Sequence, residues 1–316
     1  MTSTSALGVL LPGDAFCLAV PARPTPMGMT PTHLAFMMLI NLIWGFALVA
    51  AKVSIGHFPP LLFAALRFLL IVAVLFPFLK IHKGQMKEVI IISLCAGPIG
   101  FGFFFAGLAI SDASVVAVAS QLGVPFSAIM SVIFLKEQVF WKRWLGITLS
   151  FAGVMVISFD PTVFRYIDGL LLVVCSALVS SVGTIYQRQI RHVGVFELQA
   201  WVATVAAPLM LLGSLVFESH QITVIQTASL LQWSGIFYVA FASSLVGHAG
   251  IFYLLQRYEV TQTAPLTLLA PIFTVFFAAT LLGETLTQRM IVGALIALTG
   301  VLIVSIRQKR IVDTGP

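Results

Sequence analysis

Long apolar runs recur along this chain with little between them, and they limit its fold more than any other feature. A helix needs about 20 apolar residues to cross a hydrocarbon core of about 30 Å. Bounded by charged residues, proline or glycine, the runs predict ten membrane-spanning helices. The predicted spans are 32–54, 59–79, 88–110, 112–135, 142–159, 168–187, 197–217, 232–256, 260–282 and 289–306.

Composition excludes a soluble globular protein. The chain is 59% hydrophobic and 9% charged, whereas a soluble domain has about 25% charged residues. So few charges cannot cover a water-facing surface. The spans leave no room for a second, soluble domain. The sequence therefore predicts an all-α integral membrane protein.

The two ends of the chain differ from its centre. Residues 1–31 are rich in proline and lack the basic start and clean apolar core of a secretory signal, so they predict a disordered leader. Residues 307–316 form a predicted cytoplasmic tail. Cys17, Cys95 and Cys175 are too widely spaced for a metal knuckle or a disulfide framework. We interpret them as packing residues and expect no metal and no cofactor.

Basic residues test the span count, because Lys and Arg gather in short cytoplasmic loops. With the N-terminus inside, thirteen of the 17 basic residues fall in cytoplasmic segments. The outer loops hold only Arg165 and Arg289, while Lys52 and Arg67 lie within or at the edge of spans. This pattern predicts a multi-pass protein of the plasma (inner) membrane with both termini in the cytoplasm. The net charge of +6 is thus explained by topology and does not indicate nucleic acid.

An internal repeat is visible in the sequence, since residues 135–158 align without gaps on residues 282–305. A proline, Pro125 or Pro271, precedes each copy. We infer two five-span units, 32–159 and 168–306. Five is an odd number, so the second unit enters the membrane from the opposite side, which predicts an inverted repeat. The identical pairs are Leu135/Leu282, Glu137/Glu284, Gly146/Gly293, Gly153/Gly300, Val154/Val301 and Ser158/Ser305.

The pattern resembles the EamA-domain branch of the drug/metabolite transporter superfamily. The resemblance covers residues 32–306. It implies ten spans, a cavity between two halves lined by the first four spans of each, and export of amino acids, their derivatives or similar small metabolites. The matching pieces are NLIWGFALVAAK at 41–52, PPLLFAALRF at 59–68, SQLGVPFSAIMSVIFLKEQ at 120–138 and APLTLLAPIFTVFFAATLLGE at 264–284.

Three ionisable residues inside or at the edge of spans are candidates for solute contact. Arg67 is costly in a membrane unless it faces protein or water, and its planar guanidinium suits a carboxylate. Lys52, at the outer end of the first span, either complements an anionic solute or reaches the interface. His248 titrates near working pH and is the best candidate for proton coupling. A structural role, in packing or in a bond to a carbonyl, stays open for each.

The other candidate residues are polar groups, prolines and glutamates. Trp44, Gln121 and Tyr186 are predicted to line the solute pocket, or else to contact lipid or neighbouring helices. Pro125 and Pro271 remove backbone hydrogen bonds and mark hinges or backbone breaks. Glu137 and Glu284, at span ends, are predicted gates or ion pairs.

The function that follows is a secondary transporter working by alternating access, with a small solute and the lipid bilayer as partners. An importer is the alternative direction, and a membrane-embedded enzyme or a pore would be a different class. An enzyme needs a nucleophile, a metal cluster or an acid pair, and the scattered acids and histidines supply none. No oligomeric state follows from the sequence.

Overall fold

The computed structural model describes residues 29–136, 140–190, 193–255, 257–258 and 260–306, without the side chains of 260, 261 and 264. This part of the chain is helical throughout and contains no strand. The helices are α1 (Pro31–Ile55), α2 (Pro60–Leu75), α3 (Met86–Leu94), α4 (Gly100–Ile110), α5 (Ala113–Ser120), α6 (Gly123–Leu135), α7 (Trp141–Ser158), α8 (Pro161–Phe164), α9 (Ile167–Gln187), α10 (Val195–Phe217), α11 (Gln221–Thr227), α12 (Leu230–Phe237), α13 (His248–Leu255), α14 (Val260–Thr267), α15 (Leu269–Phe277) and α16 (Gln288–Ser305).

Nine helices or helix pairs in the described part are long and apolar enough to cross a membrane. They are Pro31–Ile55, Pro60–Phe78, Met86–Ile110, Ala113–Leu135, Ile167–Gln187, Val195–Phe217, Leu230–Leu255, Pro265–Leu282 and Gln288–Ser305. The fifth predicted span corresponds to α7, which has 18 residues but begins with Lys142 and Arg143 in its first turn. These charges lower its mean hydropathy relative to the other nine.

Several of these long helices change their winding inside the apolar run. Three segments, Cys95–Ile99, Tyr238–Gly247 and Ala278–Leu282, are π-helical. Pro98, inside the first of them, lacks the N–H that a regular α-helix would use. Such π-bulges expose backbone carbonyls and are frequent at functional sites.

Helices α7 and α16 pack along a seam of glycines. A Cβ added at Gly153 would lie 2.3 Å from the Ala297 nitrogen and 2.5 Å from the Gly293 oxygen. A Cβ at Gly146 would lie 2.8 Å from the Gly300 oxygen. Such close approach requires glycine at these positions, because any Cβ there would overlap the backbone of the facing helix. The glycine spacing in the sequence is therefore explained by packing.

Polar contacts between helix ends fall into two groups, at opposite ends of the bundle. We call the end with connections 56–59, 111–112, 159–166, 218–229 and 283–287 the outer end, after the charge pattern, and the other the inner end. Glu218 accepts from the Leu61 and Leu62 nitrogens at the outer end, at 2.7 and 3.0 Å. Lys80 pairs with Glu197 at the inner end, at 2.7 Å. Both contacts join α10 to the segment containing α2, so the two helices are held together along their length.

Candidate functional site

Arg67 lies in the middle of α2 and is buried, with 3% of its surface exposed. Its Nη2 donates to the Ser244 hydroxyl at 2.9 Å. Its Nε and Nη1 have no hydrogen-bond partner among the described residues. A buried charge with unsatisfied donors is costly unless a ligand or water completes it. Two donor atoms of the guanidinium therefore have hydrogen-bonding capacity that the described residues do not use.

Three phenylalanines surround the guanidinium. Its central carbon lies 4.4 Å from the ring centroid of Phe101, 4.9 Å from that of Phe68 and 5.6 Å from that of Phe105. These distances are typical of cation–π contacts, which partly offset the cost of burying the charge. The rings also exclude water. Any anion that reaches Arg67 therefore meets it in an apolar, low-dielectric surrounding, where the attraction is strong.

Ser243 and Ser244 form the point at which three of the predicted residues meet. Arg67 bonds to the Ser244 hydroxyl, His248 Nδ1 donates to the Ser244 carbonyl at 2.8 Å, and Trp44 Nε1 donates to the Ser243 carbonyl at 3.1 Å. The Trp44 and His248 rings meet edge to face, with centroids 5.7 Å apart. Residues from α1, α2 and the Tyr238–Leu255 segment thus form one cluster, which we call the Arg67 cluster.

The π-helical winding and a glycine make this convergence possible. The Ser244 hydroxyl donates to the Val239 carbonyl, five residues earlier, at 2.8 Å. A Cβ at Gly247 would lie 2.3 Å from Trp44 Nε1, so only glycine lets the indole reach the Ser243 carbonyl. Neither serine is among the candidate residues predicted from the sequence. The signal was present as a serine pair just before Gly247 and His248 in an apolar run.

Lys52, Gln121 and Tyr186 lie elsewhere. Lys52 Nζ donates to the carbonyls of Leu108, Ala109 and Ser111 at 2.7, 3.2 and 2.7 Å, so it caps the C-terminal end of α4 as a cation favoured there. Gln121 is half-buried at the break between α5 and α6 and makes no hydrogen bond through its side chain within the described residues. Tyr186 packs in a separate cluster around Val89, Ile92 and Leu198.

Both predicted prolines lie directly after a break in the winding. Pro125 is in the first turn of α6, after the turn at Gln121 and Leu122, and Pro271 is in the first turn of α15, after Leu268. Proline is tolerated in a first turn because that N–H has no intrahelical partner. The two prolines thus mark equivalent breaks in the two halves of the chain.

Glu284 binds the N-terminal end of α5. Its Oε1 accepts from the Ala113 nitrogen at 2.6 Å, and its Oε2 accepts from the Ser114 nitrogen and hydroxyl at 3.0 and 2.5 Å. A carboxylate is favoured at a helix N-terminus, where backbone N–H groups are unpaired. Its partners are therefore a helix end, and no ion pair of Glu284 exists within the described part. Glu137, the other predicted gate, lies outside the described residues.

Further polar contacts join helix ends to one another at the outer end of the bundle. Asp160 accepts from Thr162 and from Thr287 across the bundle, and these bonds lower the pKa of its carboxyl. Tyr166 donates to Asp112. Burial, and next this bond, raise the pKa of Tyr166. The acid therefore stays charged and the phenol neutral at physiological pH, which keeps the outer contacts intact.

Comparison with known families decides the class of protein. The model of the EamA-like transporter family matches residues 32–159 and again residues 167–306. This chain belongs to the EamA-like transporter family. It is a multi-pass membrane protein and a transporter, not an enzyme.

Two relatives of this EamA-like transporter are both named "Probable amino-acid metabolite efflux pump". The Salmonella typhimurium protein is 29% identical over 275 residues, covering 84% of this chain and 92% of its own length. The Escherichia coli protein is 27% identical over 292 residues, covering 88% and 97%. A solved crystal structure, 17% identical, has a TM-score of 0.59 and covers 87% of this chain and 96% of its own. That last likeness concerns the fold alone.

Proposed function

We propose that this protein is a secondary carrier that exports small carboxylate-bearing metabolites, such as amino acids or their derivatives. The observation that carries the proposal is the buried guanidinium of Arg67 with two unpartnered nitrogens. The names of the relatives from Salmonella typhimurium and Escherichia coli support the solute class and the outward direction. The basic residues of the predicted cytoplasmic loops support the plasma (inner) membrane with both termini in the cytoplasm.

A carboxylate suits the guanidinium of Arg67 in charge and shape. A planar guanidinium forms two parallel N–H···O bonds with a carboxylate. Such charge-assisted bonds contribute about 1.5–3 kcal/mol each, and more where water is excluded. His248 and Trp44 lie across Ser244 from the guanidinium and supply the remaining wall of the site.

The transport cycle we propose is alternating access between two inverted five-helix repeats. In this proposal α7 also crosses the membrane, as the fifth span, which brings the total to ten. Equivalent helices of the two halves pack against each other, α7 against α16 and α2 against α10. Lys136 and Gly283, at equivalent repeat positions, share a left-handed backbone. The two separate family matches also support a duplicated unit.

We propose that this conformation is closed at its outer end. Helix α5 packs against α15 and is bound by Glu284, whereas α6 packs against α9 and α16. We propose that Glu284 acts as the outer gate. The breaks before Pro125 and Pro271 act as hinges, so that the helices on either side of each break move separately. The solute then enters from the inner side.

The test is an untargeted comparison of small molecules in the medium of bacteria that overproduce the wild-type protein, the Arg67→Ala variant or the Arg165→Ala variant. Arg165 is exposed in the outer connection and serves as the matched control. We expect a carboxylate-bearing compound to be enriched with the wild type and Arg165→Ala only. Enrichment of compounds without a carboxylate, or equal enrichment with Arg67→Ala, would overturn the proposal.

A further inference from the structure

We propose that Ser244 is a positioning residue, which holds the Arg67 guanidinium so that one of its edges is presented to a solute carboxylate. The bond between Ser244 and Arg67 stays in place while the carboxylate binds. This inference rests on the proposed function, because it takes the Arg67 cluster as the solute site. Ser244 is 1% exposed and lies in the π-helical segment Tyr238–Gly247. Arg67 lies in the first half of the chain and Ser244 in the second.

The hydroxyl of Ser244 has a fixed direction. A serine hydroxyl carries one proton and two acceptor lone pairs. The proton is used by the Val239 carbonyl at 2.8 Å, so a lone pair faces Arg67 Nη2 at 2.9 Å. The π-helical winding places residue 244 over the carbonyl five residues earlier, which is that of Val239. Local winding therefore sets the orientation of the hydroxyl, and the hydroxyl sets that of the guanidinium.

One edge of the guanidinium remains complete. The fork offers two edges to a carboxylate, formed by Nε with Nη2 and by Nη1 with Nη2. Nη2 has two N–H groups, and Ser244 occupies one of them. Whichever is used, the other N–H of Nη2 and its unpartnered neighbour, Nε or Nη1, form a full pair. The central carbon of the guanidinium lies over the rings of Phe68 and Phe101, and the proposed contact of the carboxylate is with the N–H groups at the edge of the fork.

The carboxylate does not need to displace Ser244, so Arg67 can bind the solute and the eighth predicted span together. The link between the two halves through Val239, Ser244 and Arg67 then persists when the solute is bound. Without the hydroxyl, the guanidinium still has its charge but has lost the contact that fixes its plane. Selectivity for a planar carboxylate should fall more than general affinity.

The experiment measures this selectivity as a ratio within each variant. Detergent-purified full-length protein is titrated with leucine and phenylalanine and with the corresponding amides, leucinamide and phenylalaninamide, and thermal stabilisation is recorded. The variants are Ser244→Ala, Ser244→Thr, which keeps a hydroxyl, and Ser93→Ala as the matched control. Ser93 is a fully buried serine whose hydroxyl bonds only to the Val89 carbonyl of its own helix. Because each ratio compares ligands on the same sample, a smaller folded fraction does not change it.

We expect the wild type, Ser93→Ala and Ser244→Thr to prefer each acid over its amide. In Ser244→Ala this preference should fall at least about tenfold, which corresponds to the loss of one charge-assisted bond. A Ser244→Ala variant that keeps the wild-type ratio would overturn the positioning role while leaving the proposed function intact. A wild type that binds acid and amide equally would instead contradict the proposed carboxylate site. A Ser93→Ala variant that loses the ratio as Ser244→Ala does would also overturn the positioning role, since any buried hydroxyl would then suffice.

Discussion

Lys136 and Gly283 have the same left-handed backbone conformation at equivalent positions of the repeat, with φ and ψ of 53° and 32° for Lys136 and of 68° and 24° for Gly283. Each residue follows the end of a helical segment and directly precedes a glutamate in the sequence. Glycine adopts this conformation without strain, whereas an L-residue with a Cβ does so at a cost of about 1–2 kcal/mol. The first copy of the repeat thus keeps a strained lysine where the second has glycine.

Replacing Lys136 by glycine should stabilise the protein. We predict that Lys136→Gly raises the free energy of unfolding by about 0.5–1 kcal/mol, the relief of strain less the greater chain entropy of glycine. The measurement is the thermal midpoint in detergent. The control is Lys136→Ala, which removes the charge but keeps the Cβ. An equal gain in the alanine variant would mean that the side chain, not the backbone, is responsible.

The glycine seam between α7 and α16 should tolerate no side chain. We predict that Gly153→Ala lowers the free energy of unfolding by about 1–3 kcal/mol, as overpacking does, because its Cβ would meet backbone atoms of α16 at 2.3 and 2.5 Å. The matched control is Gly213→Ala in α10, whose Cβ would meet only a Leu61 methyl at 3.4 Å. Equal thermal midpoints for the two variants would refute close packing at this seam.

Removing the charge of Glu284 should weaken the outer gate. Glu284→Gln loses the charge-assisted character of three hydrogen bonds to Ala113 and Ser114. The probe is a Val115→Cys substitution in a variant without native cysteines, labelled by a membrane-impermeant maleimide. We predict that Glu284→Gln makes this labelling at least about tenfold faster, because charge-assisted bonds are about twice as strong as neutral ones. Val115 is 2% exposed.

The control for the gate is Glu218→Gln, which also removes a carboxylate from a helix start, that of α2. It should leave the labelling of Val115→Cys unchanged, since α2 and α10 stay packed along their length. If both glutamine variants open the site equally, the effect is general loosening of the outer end and Glu284 is not a specific gate.

How much of this could be predicted from the sequence depends on the range of the interaction. Apolar runs and their boundaries are local, so they indicated a helical membrane protein, and isolated polar residues in such runs pointed to Arg67, His248 and Trp44, which do meet in one cluster. The position of Ser244 depends on π-helical winding, which no periodicity of the apolar pattern reveals. The carbonyl partners of Lys52 depend on how α1 packs against the end of α4, which is a tertiary relationship.

Replacing His248 tests proton coupling. The neutral ring donates from Nδ1 to the Ser244 carbonyl and so keeps Nε2 as an acceptor. The charged group that faces it across Ser244 is Arg67. We predict that the transport rate of the wild type varies with pH and that His248→Gln removes this variation, because an amide does not titrate.

A matched histidine serves as the control for coupling. His57 bonds to the Val224 carbonyl at the outer end, at 2.9 Å, away from the Arg67 cluster. His57→Gln should keep the pH profile of the wild type. A His248→Gln variant with an unchanged rate and an unchanged profile would exclude His248 from coupling.

The central claim, that Arg67 binds the solute, is tested most directly by counterflow in proteoliposomes. The labelled solute is the compound found enriched in the medium, and the proteins are the wild type, Arg67→Ala and Arg165→Ala, each inserted in equal amounts. Loss of two charge-assisted bonds, together about 3–6 kcal/mol, predicts that exchange by Arg67→Ala falls at least about a hundredfold, while Arg165→Ala exchanges at the wild-type rate. Wild-type exchange by Arg67→Ala would contradict the account.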